Sequence, residues 1–488
     1  MDVSGDYHST VSELAASIGI VSDNDAIVRG IHTDVSVVMQ GDIWASLRPT
    51  EAQCALAKEQ GVVAILCRDV PAVEGVDFLQ TNHLEQSLGV LLNVLYAEPS
   101  SHMNIMAVTG TNGKTTVAYL CASAMSYLQR SATMIGTLGY GPLGQIRPQR
   151  HTTPPVGELH QKLALARDRG ADFIAMEASS HGLDQGRLAG VMIDVAVFTN
   201  LTHEHLDYHK TINDYLAAKQ KLFMMQSVGV AVINYDDPSG EILAARINKP
   251  LWACGLNAVP RGPQRWSYCT VHDQTLNGMR LKITTHEASV SIDTPLIGRF
   301  NAENLMLSHA ALCVSGIDPL LAASALGSVS SIPGRMQRIQ FSELLCEVII
   351  DYSHTPAALE GVLQTLDEVK QGRLWLVFGC GGDRDRKKRP MMGSIAERYA
   401  DEVIITEDNS RSEQFEDIAQ EILSGAKCPA YCHTIKSRQK AIGYAIRQAQ
   451  AGDIVLIAGK GHETYQDNGE TLKSYSDILA VESILEAN

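Results

Sequence analysis

The 488-residue chain contains no run of about 18 uninterrupted apolar residues, so no membrane-spanning helix is expected. It has no excess of positive charge: 55 Asp and Glu against 40 Lys and Arg give a net charge of −15. That balance excludes a general nucleic-acid binder or an anionic membrane surface as partner. The opening stretch MDVSGDYHST lacks a basic region followed by an apolar one, so no secretory signal is expected and the chain reads as cytoplasmic. Ten cysteines are scattered without one C-x-x-C pair, which reads as buried thiols in a reducing compartment. Cys428-x-x-x-Cys432-His433 has no second pair to complete a metal site and reads as structure. Internal repeats, heptads and low-complexity segments are missing too.

The remaining composition, 45% hydrophobic and 19% charged, is that of a globular protein. At roughly 150 residues per domain, the length predicts about three domains. Residues 1–100 alternate short apolar strands (GDIWASL, VVAILC) with helical stretches and end in LEQSLGVLLNVLYAE, after which AEPSSHMN breaks the pattern. From 101 to 333, strands ending in polar turns (NIMAVTG, DFIAMEASS, DVAVFTN, GVAVINYDD) alternate with helices, the pattern of a mainly parallel sheet of P-loop type. The rhythm restarts in 334–488 with EVIIDYS, LWLVFGCGG, DEVIITEDN and DIVLIAGKG. The expected fold is therefore α/β: a small N-terminal α/β domain, a central parallel-sheet domain and a C-terminal Rossmann-like domain. Ligands belong beyond the carboxyl ends of the strands.

VTGTNGKTTVAYL, Val108–Leu120, is almost a nucleotide-binding loop. The usual G-x-x-x-x-G-K-[ST] spacing asks for glycine where Val108 stands, but Gly113-Lys114-Thr115 is intact, with a strand before and a helix after. Backbone N–H groups at the helix start can bind phosphate, Lys114 adds a point charge, and Thr115 can ligate Mg²⁺. LTHEHLDYH, Leu201–His209, nearly matches the H-x-H-x-D-H zinc pattern through His203, His205 and Asp207. Tyr208 displaces the last histidine by one position, which a tetrahedral site tolerates poorly. A structural histidine cluster is the plain alternative; one histidine serving Mg²⁺ beside ATP is favoured.

GCGGDRDRKKRP, Gly379–Pro390, fails as a dinucleotide fingerprint because Arg384 occupies the third glycine position. Its basic residues suit a site for small anions, or a solvated face. TEDNSR and GKGHETYQ end later strands of the same domain and bring Asp408, Asn409, Arg411 and Glu463 toward one cleft. That mixture suits a zwitterionic amino acid, whose carboxylate seeks arginine and whose ammonium seeks a carboxylate.

As an ordered set, TGTNGKTT, TTP, EASSHGLDQGR, FTNLTHEHLDYH, YLAAKQKLF, GRFNAENL, PGRMQRI, DYSHTPAALE, FGCGGDRDRKKRP, DNSR and GKGHE resemble the Mur ligases over roughly 100–488. The nearest branch of the family adds the third peptide residue in peptidoglycan synthesis. The resemblance implies that ATP phosphorylates the carboxylate of UDP-MurNAc-L-Ala-D-Glu and that an amino-acid amine then attacks the acyl phosphate. It implies an ATP site of Gly110, Thr111, Asn112, Gly113, Lys114, Thr115 and Thr116, with Asn301 and Asn304 at the adenine, Arg335 on the phosphate side and Asp351 at the ribose. It implies Mg²⁺ held by Thr115, Glu177, His205 and Lys219, the last as a carbamate, with Lys114, Glu177, His205 and Lys219 catalytic. Thr152, Thr153, Ser179, Gln185 and Arg187 match positions for the UDP-MurNAc-peptide. Arg389, Asp408, Asn409, Arg411, Gly459 and Glu463 match the amino-acid pocket.

Two departures stand out. The motif D-N-P-R, which accompanies meso-diaminopimelate in this branch, is D-N-S-R here: Arg411 is kept, and Ser410 replaces a proline that would fix φ. In the N-terminal domain, HTDVSVVMQGDIWAS has Val35 where the branch shows serine, and its glycine-rich loop is shortened. The expectation is a ligase making the UDP-MurNAc-tripeptide, acting as a monomer on small molecules alone. A related ligase working on a different carboxylate is the alternative, and an inert nucleotide-binding subunit a third reading.

Overall fold

The structure is a computed structural model and describes residues 7–341, 344–428 and 432–486. The first six residues of the opening stretch, and residues 429–431 inside the Cys428–Cys432 segment, lie outside them. Among the described residues, α-helices surround sheets of four, ten and six strands, and two short two-stranded ribbons complete the fold. It is an α/β protein of three domains.

The four-stranded sheet runs Gly30–His32, Asp42–Ser46, Ala64–Cys67 and Phe78–Gln80, all parallel. Helix Leu84–Leu95 covers it, inserting Leu88, Leu91, Leu92 and Leu95 at helical spacing. Ala164 of the central helix Val156–Asp168 joins this core. On the same helix Arg167 donates through Nη1 to the carbonyls of Tyr96 and Ala97, at 2.8 Å each. These contacts seat the first domain on the second.

In the ten-stranded sheet Asn104–Thr109 lies in the middle, between Phe173–Glu177 and Ile193–Phe198, with Val228–Asn234 and Leu251–Gly255 beyond the latter. These strands are parallel and buried on both faces, which is why they read as continuous apolar runs. The far edge differs from the sequence reading. Arg265–Thr275, Gly278–Thr285 and Ser289–Thr294 form an antiparallel meander rather than helix-linked strands. Ser289–Thr294 alternates exposed and buried positions, the mark of a sheet covered on one face. Helices Lys114–Tyr127, Arg299–Val314 and Pro319–Gly327 pack one face of the sheet; Val156–Asp168 and Ile212–Met224 pack the other.

The six-stranded sheet is parallel except for Gln337–Ile339 at its edge. All ten cysteines are free thiols; Cys428 alone is exposed. No helix among the described residues is long and apolar enough to cross a membrane.

The last helix, Asp477–Glu486, is fastened by a fully buried pair. Arg438 donates through Nε and Nη2 to the two oxygens of Asp477 at 2.7 and 2.8 Å, and through Nη2 to Ala458 O at 2.9 Å. The Asp477 carboxylate beside it raises the Arg438 pKa against the lowering effect of burial. Removing one partner strands a buried charge, so Asp477→Ala should cost about 3–5 kcal/mol of stability, read as a lower urea midpoint. A midpoint within error of wild type would contradict that role for the pair.

Candidate active site

The phosphate loop starts where the central strand stops. Val108 lies inside that strand, in parallel register with Glu177, and is fully buried. A side chain is wanted at this position, so the missing glycine is no defect. The turn begins one residue after Thr109, at Gly110 (φ 150°), and closes at Gly113 (φ 85°), which caps helix Lys114–Tyr127. A Cβ on Gly110 would collide with Thr199 Oγ1, and one on Gly113 with Asn304 Oδ1. Lys114 Nζ donates to the loop carbonyls of Gly110 and Thr111, at 2.9 and 2.7 Å. Thr111 Oγ1 reaches the Tyr215 hydroxyl at 3.2 Å.

Glu177 ends the neighbouring strand with its side chain buried. It accepts from the Thr137 N–H (2.7 Å), the Thr137 hydroxyl (3.1 Å) and the Thr115 hydroxyl (3.0 Å). Arg335 Nη2 donates to Thr115 Oγ1 at 3.2 Å, linking the start of the C-terminal domain to the loop. Around Glu177, Thr153 Oγ1 donates to the Glu177 carbonyl and accepts from Ser179 N–H. Thr152 Oγ1 lies 3.1 Å from Thr137 Oγ1. Arg187 donates through Nη1 to Thr153 O at 2.6 Å and through Nε and Nη2 to Gln185 Oε1.

Lys219 is buried behind the loop. Its Nζ donates to Gly110 O at 2.7 Å and lies 4.3 Å from the Tyr215 ring centroid. Burial, reinforced by the charge of Lys114, pushes its pKa well below the usual lysine value. His205, held at φ 56°, is pushed down to about 4 chiefly by burial and is therefore a neutral imidazole near neutral pH. His209 packs against Tyr215 and His181 instead of converging with His203 and Asp207. Among the described residues no group of three or more His, Cys, Asp and Glu could hold a metal ion by itself.

Sequence reasoning missed Glu204. Its carboxylate lies 3.8 Å from His205 Nε2 and 3.4 Å from His354 Nε2 of the C-terminal domain. Burial alone would raise its pKa, but His354, His205 and Lys114 outweigh that and hold it well below the usual range. Asn301 and Asn304 are buried in helix Arg299–Val314; Asn301 Nδ2 donates to Ile297 O at 2.8 Å. Asp351 accepts the N–H groups of Met336 and Ser353, both at 2.7 Å, while burial raises its pKa.

The second cleft lies at the carboxyl ends of the C-terminal sheet. Asp408, Asn409, Glu463 and Gly459 meet there, and Asn409 Nδ2 donates to Glu463 Oε2 at 3.0 Å. A Cβ on Gly459 would lie 2.7 Å from Asp408 Oδ2, so the close approach requires glycine. Arg411, at φ 49°, donates to Gly382 O at 2.7 Å, with its Nε 3.8 Å from Asp467. Arg389 is the sixth residue expected at this pocket. Its side chain is fully buried; Nη1 and Nη2 donate to Glu413, Glu421 and Gly381 O at 2.8–3.1 Å, while Nε has no partner. Those bonds tie Arg389 to the Gly381 loop.

A phosphate loop against a buried carboxylate, facing a domain with a charged cleft, defines the class: an ATP-dependent enzyme that joins two substrates. The family model for the Mur ligase middle domain matches residues 108–312, and that for the Mur ligase glutamate ligase domain matches 334–461. A UDP-N-acetylmuramoyl-L-alanyl-D-glutamate–2,6-diaminopimelate ligase of Chromobacterium violaceum is 40% identical over 471 residues, 94% of each chain. A ligase of the same name from Coxiella burnetii is 37% identical, over 93% of this chain and 95% of its own. A solved structure with that name superposes with a TM-score of 0.71 at 34% identity, covering 98% of this chain and 99% of the other. The chain belongs to the Mur ligase family and is an ADP-forming amide ligase.

The brace around Arg389 carries a pH signature. The Arg389 hydrogen bonds hold the Glu413 carboxyl down at about 2, against an ordinary 4.5. Its stabilisation is therefore complete above about 4.5 and is lost as pH falls from there toward 2. Glu413→Gln, which leaves Arg389 its bond to Glu421, should lower stability at pH 7 by about 1–2 kcal/mol and flatten the acid limb of the stability curve. Thermal melts from pH 7 to 3 check both; superimposable wild-type and variant curves would refute the assignment.

Proposed function

We propose that this ligase adds meso-diaminopimelate, the third peptide residue, to UDP-MurNAc-L-Ala-D-Glu in peptidoglycan synthesis. The observation that carries this reading is 40% identity across 94% of both chains with a ligase of that name. The similarity spans the N-terminal domain despite Val35, which argues against a different carboxylate. Units 1–100, 101–333 and 334–488 then divide the work: the nucleotide end of the substrate, ATP, and the amino acid. A cavity of about 220 Å³ beside His32, Thr33 and Asp34, closed by Leu88, Val156 and Gln161, suits part of that substrate.

A carboxylate is a poor electrophile until it carries a leaving group. Transfer of the γ-phosphoryl group makes the acyl phosphate and ADP; the amine attacks the carbonyl, the C–O bond breaks, and amide and phosphate result. The N–H groups at the start of helix Lys114–Tyr127, with Lys114, bind the phosphates. Ser179, Gln185, Arg187, Thr152 and Thr153, ringed around Glu177, hold the carboxylate partner in line. Asn301, Asn304 and Asp351 serve the nucleoside, and Arg335 joins its phosphate side to the loop through Thr115.

The donor pair fits Mg²⁺: the Thr115 hydroxyl and Glu177 carboxylate offer hard oxygen ligands 3.0 Å apart, and the family resemblance would add His205, a neutral imidazole. When bound, the ion would neutralise phosphate charge. Lys219, desolvated and next to Lys114, favours the free amine. The amine adds CO₂ and releases a proton to give a carbamate, an anion compatible with the ion. The reaction consumes ATP and a UDP-linked precursor, which fits a cytoplasmic monomer working on small molecules without nucleic acid or membrane.

Phosphate release from ATP should require both UDP-MurNAc-L-Ala-D-Glu and meso-diaminopimelate. No release with either meso-diaminopimelate or L-lysine would end this reading; turnover with lysine alone would contradict the role given to Arg411. Lys219→Ala should lose about 100-fold or more in kcat and recover in part with short-chain carboxylates. Unchanged activity in that variant would refute the carbamate.

A further inference from the structure

The second cleft holds a cation that the reaction above does not use. Lys460 follows Gly459, and its side chain is completely buried. Its ammonium meets three acceptors: Asn409 Oδ1 at 3.0 Å, Glu463 Oε2 at 3.0 Å and Asp408 Oδ1 at 3.5 Å. These are the groups proposed to receive the amino acid. Asn409 is held further by donating to Glu463 and by accepting the Asp467 N–H at 3.0 Å. Gln466 Nε2 fixes the Asp408 carbonyl at 3.0 Å.

Fully buried, bonded to Asn409 and Glu463 and paired with Asp408, the ammonium is engaged within the protein and not offered to a substrate. What it contributes is arrangement and charge. Without it, Asp408 and Glu463 would give the cleft two negative charges and would repel each other. With it, one of those two charges remains, in a region where the Arg411 guanidinium already faces Asp467 at 3.8 Å. One remaining negative charge and one guanidinium complement a centre that carries both an ammonium and a carboxylate. They complement a bare ammonium less well, because it brings no carboxylate to Arg411.

We propose that Lys460 is a positioning residue that sets acceptor specificity: it holds Asp408, Asn409 and Glu463 and cancels one carboxylate, so that the cleft selects a zwitterionic end over a side chain ending in ammonium alone. This inference rests on the amide-ligase reading with meso-diaminopimelate.

The test is steady-state kinetics of wild type and Lys460→Met with meso-diaminopimelate and L-lysine at saturating ATP and nucleotide substrate. The variant should raise the KM for meso-diaminopimelate by about tenfold or more while the KM for ATP stays within about twofold. The ratio of kcat/KM for meso-diaminopimelate over L-lysine should fall by about tenfold or more, which loss of packing alone would not produce. An unchanged ratio, or KM values for ATP and amino acid rising together at constant ratio, would overturn the inference. A wild type that turns over neither amino acid defeats the reading of the reaction and this inference with it. A wild type active on meso-diaminopimelate, with a variant of unchanged ratio, defeats the inference alone. If Lys460→Met does not fold, Lys460→Met/Glu463→Gln removes the cation together with one carboxylate it holds. Folding of the double variant supports the pairing, and failure of both overturns it.

Discussion

One parallel register, Val108 opposite Glu177, sets the geometry on which the rest of the site depends. It brings a buried carboxylate level with the last strand residues before the phosphate loop, so Thr115 on the helix beyond can reach it. The strand on the other side, Ile193–Phe198, delivers Thr199 against Gly110 in the same way. A one-residue slip would turn every side chain to the opposite face and separate loop from carboxylate. The apolar runs flanking the loop, buried on both faces, hold that register and so hold the chemistry.

The electrostatics follow from that placement. Lys114 and Lys219 both bond to the Gly110 carbonyl, and burial lowers the pKa of each. Two desolvated amines beside a helix N-terminus make a site that an anion would relieve. Glu204 spans the junction of two domains through His205 and His354, while Arg335 reaches Thr115 from the same side. The C-terminal domain thus meets the start of helix Lys114–Tyr127 and Glu204 through charged and polar contacts.

The loop, the strand-end carboxylates and the succession of α/β units were legible in the sequence because each is written locally: an apolar run, a glycine turn, a helix start. What escaped is long-range. That Arg389 is fully buried has no local sign, because it depends on Glu413 and Glu421 arriving from 24 and 32 residues away. Lys460 carries no local sign of its burial; the fold encloses it. Ser410 read as a loss of stiffness, yet its hydroxyl donates to Glu407 at 3.0 Å and ties down the same loop. The antiparallel meander over 265–294 escaped for another reason: its one-sided burial interrupts the apolar runs that betray the parallel strands.

The central claim is that the loop presents a γ-phosphate to a carboxylate held beside Glu177. Its most direct test uses UDP-MurNAc-L-Ala-D-Glu labelled with heavy oxygen in the acceptor carboxylate, with mass analysis of the phosphate released during turnover. The account predicts one labelled oxygen in each phosphate, carried over when the acyl phosphate breaks. Unlabelled phosphate formed alongside amide product would contradict it.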